Sequence, residues 1–157
     1  MLAANDAYAR DFALAGLDGH AARGLAVITC MDSRIDPLAM LGLHAGDAKI
    51  LRNAGARVTD DVLRTLVLAS YLLAVDRVMV VAHTDCRMAS ASEEEMHAAI
   101  RERGGQDTRS LSLLVADDQE AALRADVQRV RSSPYLDGLE VGGFLYDVAT
   151  GRVTQVC

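Results

Sequence analysis

The stretch Leu25-Ala-Val-Ile-Thr-Cys30-Met-Asp32-Ser-Arg34-Ile-Asp36 decides how the rest of the chain is read. Its first half is a short apolar run rich in β-branched residues, the pattern of a strand buried on both faces. Its second half turns polar abruptly, with a thiol, Cys30, followed closely by a carboxylate, Asp32, and a guanidinium, Arg34. A second stretch repeats the form. Arg77-Val-Met-Val-Val-Ala-His83 is another buried-strand run, and it continues into Thr-Asp-Cys86. Cys, His and Cys at the exits of two strands make three zinc ligands if those strands are neighbours.

Working outward, 157 residues suit one domain with a proper core, expected here to span 1–157 with residues 1–24 as an N-terminal helical arm. Hydrophobic residues are 51% and charged residues 24%, an ordinary globular balance. A formal charge of −6 argues against a nucleic-acid surface, and 4% aromatics with no Trp argue against base-stacking platforms. The longest apolar patch, Val62 to Val75, carries Arg64 and is too short to span a bilayer, so no membrane partner is expected. No basic segment followed by an apolar core opens the chain, and its three cysteines cannot all pair with one another. The expected compartment is the cytoplasm, with the thiols reduced or metal-bound.

In order, Asn5 to Leu17 has a helical pattern with Tyr8 and Phe12 facing inward, ended by Gly16 and Gly19, to pack on its own domain or reach across to a partner subunit. After the first strand, Asp36-Pro37 starts a short helix to Leu43. Ala48 to Leu51 reads as the second strand and Arg52 to Ala56 as the loop leaving it. Thr59-Asp60-Asp61 combines a capping hydroxyl with two carboxylates at the positive end of a helix. That helix, to about Ala74, is apolar on nearly every face and should be buried between the sheet and a second subunit. Ser92 and Glu95 form a capping box for a helix ending at Gly104-Gly105, and Gln106 to Ala116 reads as loop. Asp117 to Arg131 is an amphipathic helix, Leu139 to Tyr146 a fourth strand, and Val153 to Val156 a final one. The fold class is α/β: a Rossmann-like, mostly parallel sheet of four parallel strands plus an antiparallel edge strand, flanked by helices.

In such a sheet ligands bind beyond the carboxyl ends of strands, where the strand order reverses. Placing the second and third strands on opposite sides of the first brings Cys30 and His83 together there, with Cys86 returning from the turn. Two thiolates and an imidazole suit zinc and leave a fourth position open, the mark of a catalytic site; Asp32 is the alternative fourth ligand, which would close it. Two thiolates also cancel the ion's formal charge, so a bound water is acidified less than it would be by three imidazoles. An acceptor that orients the water then matters. Asp32 is that acceptor, and Arg34 is the residue type that clamps a carboxylate with two parallel hydrogen bonds.

Cys30-Met-Asp32-Ser-Arg34, Arg52-Asn-Ala-Gly55 and His83-Thr-Asp-Cys86, in this order, resemble the β-class carbonic anhydrases, and the resemblance runs from about residue 25 to the last strand. It implies one zinc per chain on Cys30, His83 and Cys86, an Asp32–Arg34 dyad, and zinc hydroxide attacking carbon dioxide to give bicarbonate. It also implies a homodimer or homotetramer with sites near the subunit interface. The usual Gly after the second cysteine is Arg87 here, which alters the turn and the pocket's charge. Gly55 is expected to adopt positive φ and to let its loop approach the dyad. His44 stands in the loop before the second strand, where some plant members carry a substrate-contacting glutamine. His20 and His97 read as solvated, and Cys157 as a free thiol. Two other functions share these residues. One is hydrolysis of carbonyl sulfide or carbon disulfide, as in a few relatives; the other is a non-catalytic, bicarbonate-responsive zinc protein closed by Asp32.

Overall fold

A computed structural model describes residues 1–157. Five strands, β1 (Leu25–Cys30), β2 (Ala48–Asn53), β3 (Arg77–His83), β4 (Glu140–Tyr146) and β5 (Val153–Gln155), form one sheet in the order β2-β1-β3-β4-β5. All pairings are parallel except β4 with β5. Ala26, Val27, Ile28 and Thr29 of the central strand β1 are wholly excluded from solvent, which is why that run is apolar on both faces. Its one polar member, Thr29, donates its hydroxyl to the Val81 carbonyl.

Because the chain leaves β1 to form β2 on one side and β3 on the other, the carboxyl ends of β1 and β3 lie side by side. Helices flank the sheet: α1 (Leu2–Arg10), α2 (Asp60–Leu72), α3 (Glu93–Gly104) and α4 (Gln119–Arg131). The Thr59 hydroxyl caps α2 by accepting from Val62 N, and Val62, Leu66 and Ala69 enter the core. The Ser92–Glu95 capping box forms both of its hydrogen bonds, and α3 ends on Gly105 at φ +71°. Leu123, Val127 and Val130 seat α4 on the sheet.

Three expectations need correction. The helix placed over Asn5–Leu17 is Leu2–Arg10, and it buries nothing; Tyr8 and Phe12 meet each other with ring centroids 5.5 Å apart and planes tilted by 59°. Their spacing is amphipathic, but no surface of this chain lies opposite them. The helix expected from Pro37 to Leu43 is a single 3-10 turn, Ala39–Leu41, stopped by Gly42 at φ +63°. α2, expected between the sheet and a second subunit, turns one face to the core and leaves Leu68, Tyr71 and Leu72 44%, 71% and 64% exposed within this chain. His97 is buried rather than solvated, since residues 106–116 fold back over α3; its Nδ1 lies 2.8 Å from Thr108 Oγ1, and Glu93 accepts from Leu113 N.

Candidate metal centre

β1 ends at Cys30, held by Met31 N donating to the Asn53 carbonyl of β2. β3 ends at His83, and Asp85, at φ +54°, turns the chain so that Cys86 comes back beside it. All three are buried, and their ligand atoms lie within 4.8 Å of one another. The histidine decides what the cluster is for. Its Nδ1 lies 2.9 Å from the Thr84 carbonyl, which selects the tautomer protonated at Nδ1 and leaves the lone pair on Nε2. Nε2 is buried with no hydrogen-bond partner, at a residue only 1% exposed. A buried unpaired ring nitrogen is costly unless something else takes its lone pair. Aimed into a cradle with two sulfurs, it fits a thiophilic cation such as zinc.

Burial, with Cys30 beside it, pushes the Cys86 thiol up to about 11. Below that value metal must displace its proton, so zinc affinity should rise with pH, by about tenfold per unit from Cys86 alone. Chelator competition between pH 6 and 8.5 measures this, and a flat profile would contradict it.

Around the cradle the polar groups are fully engaged. Gly55 N donates to Cys30 Sγ at 3.4 Å. Asp32 receives Arg34 Nε on Oδ1 at 3.0 Å and Arg34 Nη2 on Oδ2 at 2.8 Å, two parallel bonds. The Arg34 backbone N–H adds a third, to Oδ1 at 2.9 Å. These bonds hold the Asp32 carboxyl well below the usual carboxylate range, so it stays ionised at neutral pH. Its Oδ2 is 4.0 Å from the unpaired Nε2 of His83. Arg52 ties the segment down from β2, donating to the carbonyls of Cys30 (3.0 Å) and Asp32 (2.6 Å).

The remaining candidates separate. Gly55 sits at φ +79°, where a side chain would be strained, and a Cβ there would lie 3.1 Å from Met88 Cβ, a tight contact. Arg87 is exposed in the 3-10 turn Arg87–Ala89 that follows Cys86. His44 is exposed and lies before β2, at the end of the sheet opposite Cys30, so one chain does not bring it to the cluster. His20 is exposed beside Asp18, and Cys157 is a free thiol packed against Gly143.

One participant was not singled out from sequence. Asp85, there a mere spacer between two ligands, accepts Arg34 Nη1 on Oδ2 at 2.7 Å and Arg34 Nη2 on its carbonyl at 3.0 Å. Its signal was present: an acidic residue in the turn facing a known arginine.

Residues 25–153 match the family model described as carbonic anhydrase. Over 133 residues, covering 84% of this chain and 81% of the relative, the sequence is 34% identical to β-carbonic anhydrase 1 of Mycobacterium tuberculosis. The chain belongs to the β-class carbonic anhydrases. The same fold recurs in the crystal structure of carbonic anhydrase from Streptococcus mutans, with a TM-score of 0.92 and 37% identity over 99% of this chain and 95% of that one. A carbon disulfide hydrolase of Acidithiobacillus thiooxidans is 39% identical over 104 residues, covering 62% of this chain and 48% of that enzyme. β-Carbonic anhydrases use zinc, and the Cys30–His83–Cys86 group could hold such an ion here.

Proposed function

We propose that this chain catalyses the reversible hydration of carbon dioxide to bicarbonate and a proton. The observation that carries this is the unpaired Nε2 of His83, set between two thiols, with an Arg34-clamped carboxylate 4.0 Å away. Cys30, His83 and Cys86 would hold a zinc ion, which would supply the Lewis acidity that makes water a nucleophile at neutral pH. Asp32 does the orienting: kept ionised, it accepts a hydrogen bond from the attacking water and turns a lone pair toward the substrate carbon. Arg34 holds that carboxylate back from the Cys30–His83–Cys86 group, with Oδ2 4.0 Å from His83 Nε2, which would leave room for the water. The water oxygen becomes the third oxygen of bicarbonate, and one proton leaves to solvent. Around the cradle, Cys30, Ile35, Ala56 and Cys86 pack with Met40, Met88, Ala89 and Tyr146, an apolar wall suited to an uncharged linear substrate.

Stopped-flow hydration of carbon dioxide between pH 6.5 and 9, on protein of measured zinc content, tests the assignment. Turnover proportional to zinc is expected; zinc-replete protein without turnover would overturn it. The carbon disulfide hydrolases among the relatives favour a second assay, sulfide release from carbon disulfide. Activity there without carbon dioxide hydration would assign the chain to that chemistry. Inactivity in both would leave a zinc protein closed by Asp32.

We also infer a homodimer or homotetramer. Leu68, Tyr71 and Leu72 form an exposed apolar face on α2, and α1 buries none of its residues. Sedimentation at micromolar concentration should show no stable monomer; a monomer would refute this. No helix is long and apolar enough to cross a membrane.

A further inference from the structure

Behind the metal centre, α4 carries a carboxylate where its neighbours are apolar. Asp126 lies among Leu123, Val127 and Val130 on the buried face of the helix. It is 5% exposed, and its Oδ2 accepts from Arg57 Nε at 2.6 Å. A buried ion pair of this kind is often no more stabilising than a well-packed apolar pair, so stability alone does not account for it. What it holds is more telling. Arg57 Nη1 donates to the Leu114 carbonyl at 2.8 Å. Its backbone closes a ring with Asn53, whose side chain accepts from Arg57 N (2.8 Å) and donates to Arg57 O (2.7 Å).

Inside that ring lie two consecutive left-handed residues, Gly55 at φ +79° and Ala56 at φ +58°. Ala56 pays for the conformation, because its Cβ crowds the following carbonyl, and such a residue persists only where its surroundings hold it. The product of this strained turn is one hydrogen bond, Gly55 N–H to Cys30 Sγ. A second arm of the same helix reaches the other ligand strand, with Gln119 Nε2 donating to the His83 carbonyl at 3.0 Å.

We propose that Arg57 and Asp126 are positioning residues for the metal centre: the pair pins the 53–57 turn to α4 and so keeps the Gly55 N–H on the Cys30 sulfur. This rests on Cys30 being a zinc ligand. An N–H donated to a ligating thiolate draws charge from the sulfur and fixes its direction, as outer partners do for other ligands. Losing the pin lets Ala56 relax out of the left-handed region and carries the Gly55 N–H away from the sulfur. A merely structural ion pair would do neither.

The test uses the full chain and its Arg57→Met, Arg57→Lys and Asp126→Asn variants, loaded with Co2+ for spectroscopy and with Zn2+ for affinity and amide exchange. In Arg57→Met the thiolate-to-cobalt charge-transfer band should shift and Zn2+ affinity should fall about tenfold. The Gly55 amide should also lose its protection from exchange. Arg57→Lys keeps the charge but not the fork, and should fall between Met and the parent. Identical bands, affinities and Gly55 exchange in every folded variant, whatever happens to the melting temperature, would overturn the proposal. If Arg57→Met does not fold, the near-isosteric Asp126→Asn and the charge-conserving Arg57→Lys decide by the same readouts. A parent protein that takes up neither Co2+ nor Zn2+ would instead overturn the zinc assignment itself, and this proposal with it.

Discussion

Cys30→Ser, His83→Ala and Cys86→Ser are each expected to purify with little zinc and almost no carbon dioxide hydration. Each removes one of the three side chains that could hold the ion. The loss should exceed the roughly 10–100-fold that removing an outer partner of a ligand costs. The three variants should differ in one respect. His83→Ala deletes a ring that is 1% exposed at the end of β3, and leaves a cavity as well as an incomplete site. The two serine variants nearly conserve volume, so their melting temperatures report chiefly the loss of metal. Cys157→Ser is the internal control, because that thiol packs on Gly143 of β4 and is outside the ligand group. Metal analysis decides the matter. Near-stoichiometric zinc in any of the three ligand variants would count against the assignment, as would zinc loss in the control.

The site was readable from sequence because its geometry follows from strand order. A run such as Val27-Ile28-Thr29 must be shielded on both faces, which makes β1 central, and a central parallel strand has its exit at the switch point. Once β1 and β3 are neighbours, Cys30, His83 and Cys86 have nowhere to go but together. The turn chemistry was equally local: Thr59, the Ser92–Glu95 box and Gly105 each act on backbone groups within four residues.

What escaped depended on contacts between distant segments. Arg57 meets Asp126 across 69 residues, and no period in the sequence announces such a pair. A signal for Asp126 existed, an acid at helical spacing from Leu123 and Val130, but a polar residue in an apolar stripe reads first as a boundary of the stripe. His97 failed for the opposite reason. Its own helix gives it a polar neighbourhood, and the covering comes from the non-periodic segment 106–116. Tyr8 and Phe12 have the spacing of buried residues, yet burial needs an opposing surface, and this chain offers none.

Arg34→Ala should leave zinc content nearly unchanged and still lower turnover by about 10–100-fold, the cost typical of losing an outer-shell partner. The two oxygens of Asp32 make the reason specific. Oδ1 keeps the Arg34 backbone N–H whatever the side chain, but Oδ2 depends on Arg34 Nη2. Oδ2 is also the atom 4.0 Å from His83 Nε2. Without the guanidinium, Asp32 would be free to pivot on Oδ1 and carry Oδ2 toward the Cys30–His83–Cys86 group. Raising the pH should restore activity only in part, since Oδ2 has no other partner to return to. Asp32→Asn separates blocking from orienting: an amide is a poor competitor for the fourth position, but it lacks the anionic acceptor that aims the water. That variant should keep zinc and be slow at every pH, with no recovery in base. Asp85→Asn is the milder case. It leaves the fork on Asp32 intact and removes only the charge that Arg34 Nη1 meets on its other side, so turnover should fall less than in Arg34→Ala. Full pH–rate profiles of the three variants test the order. If Arg34→Ala matched the parent at every pH, the guanidinium would serve only to tie the Asp32 and Asp85 turns together, and Asp32 would need no clamp to stay off the metal.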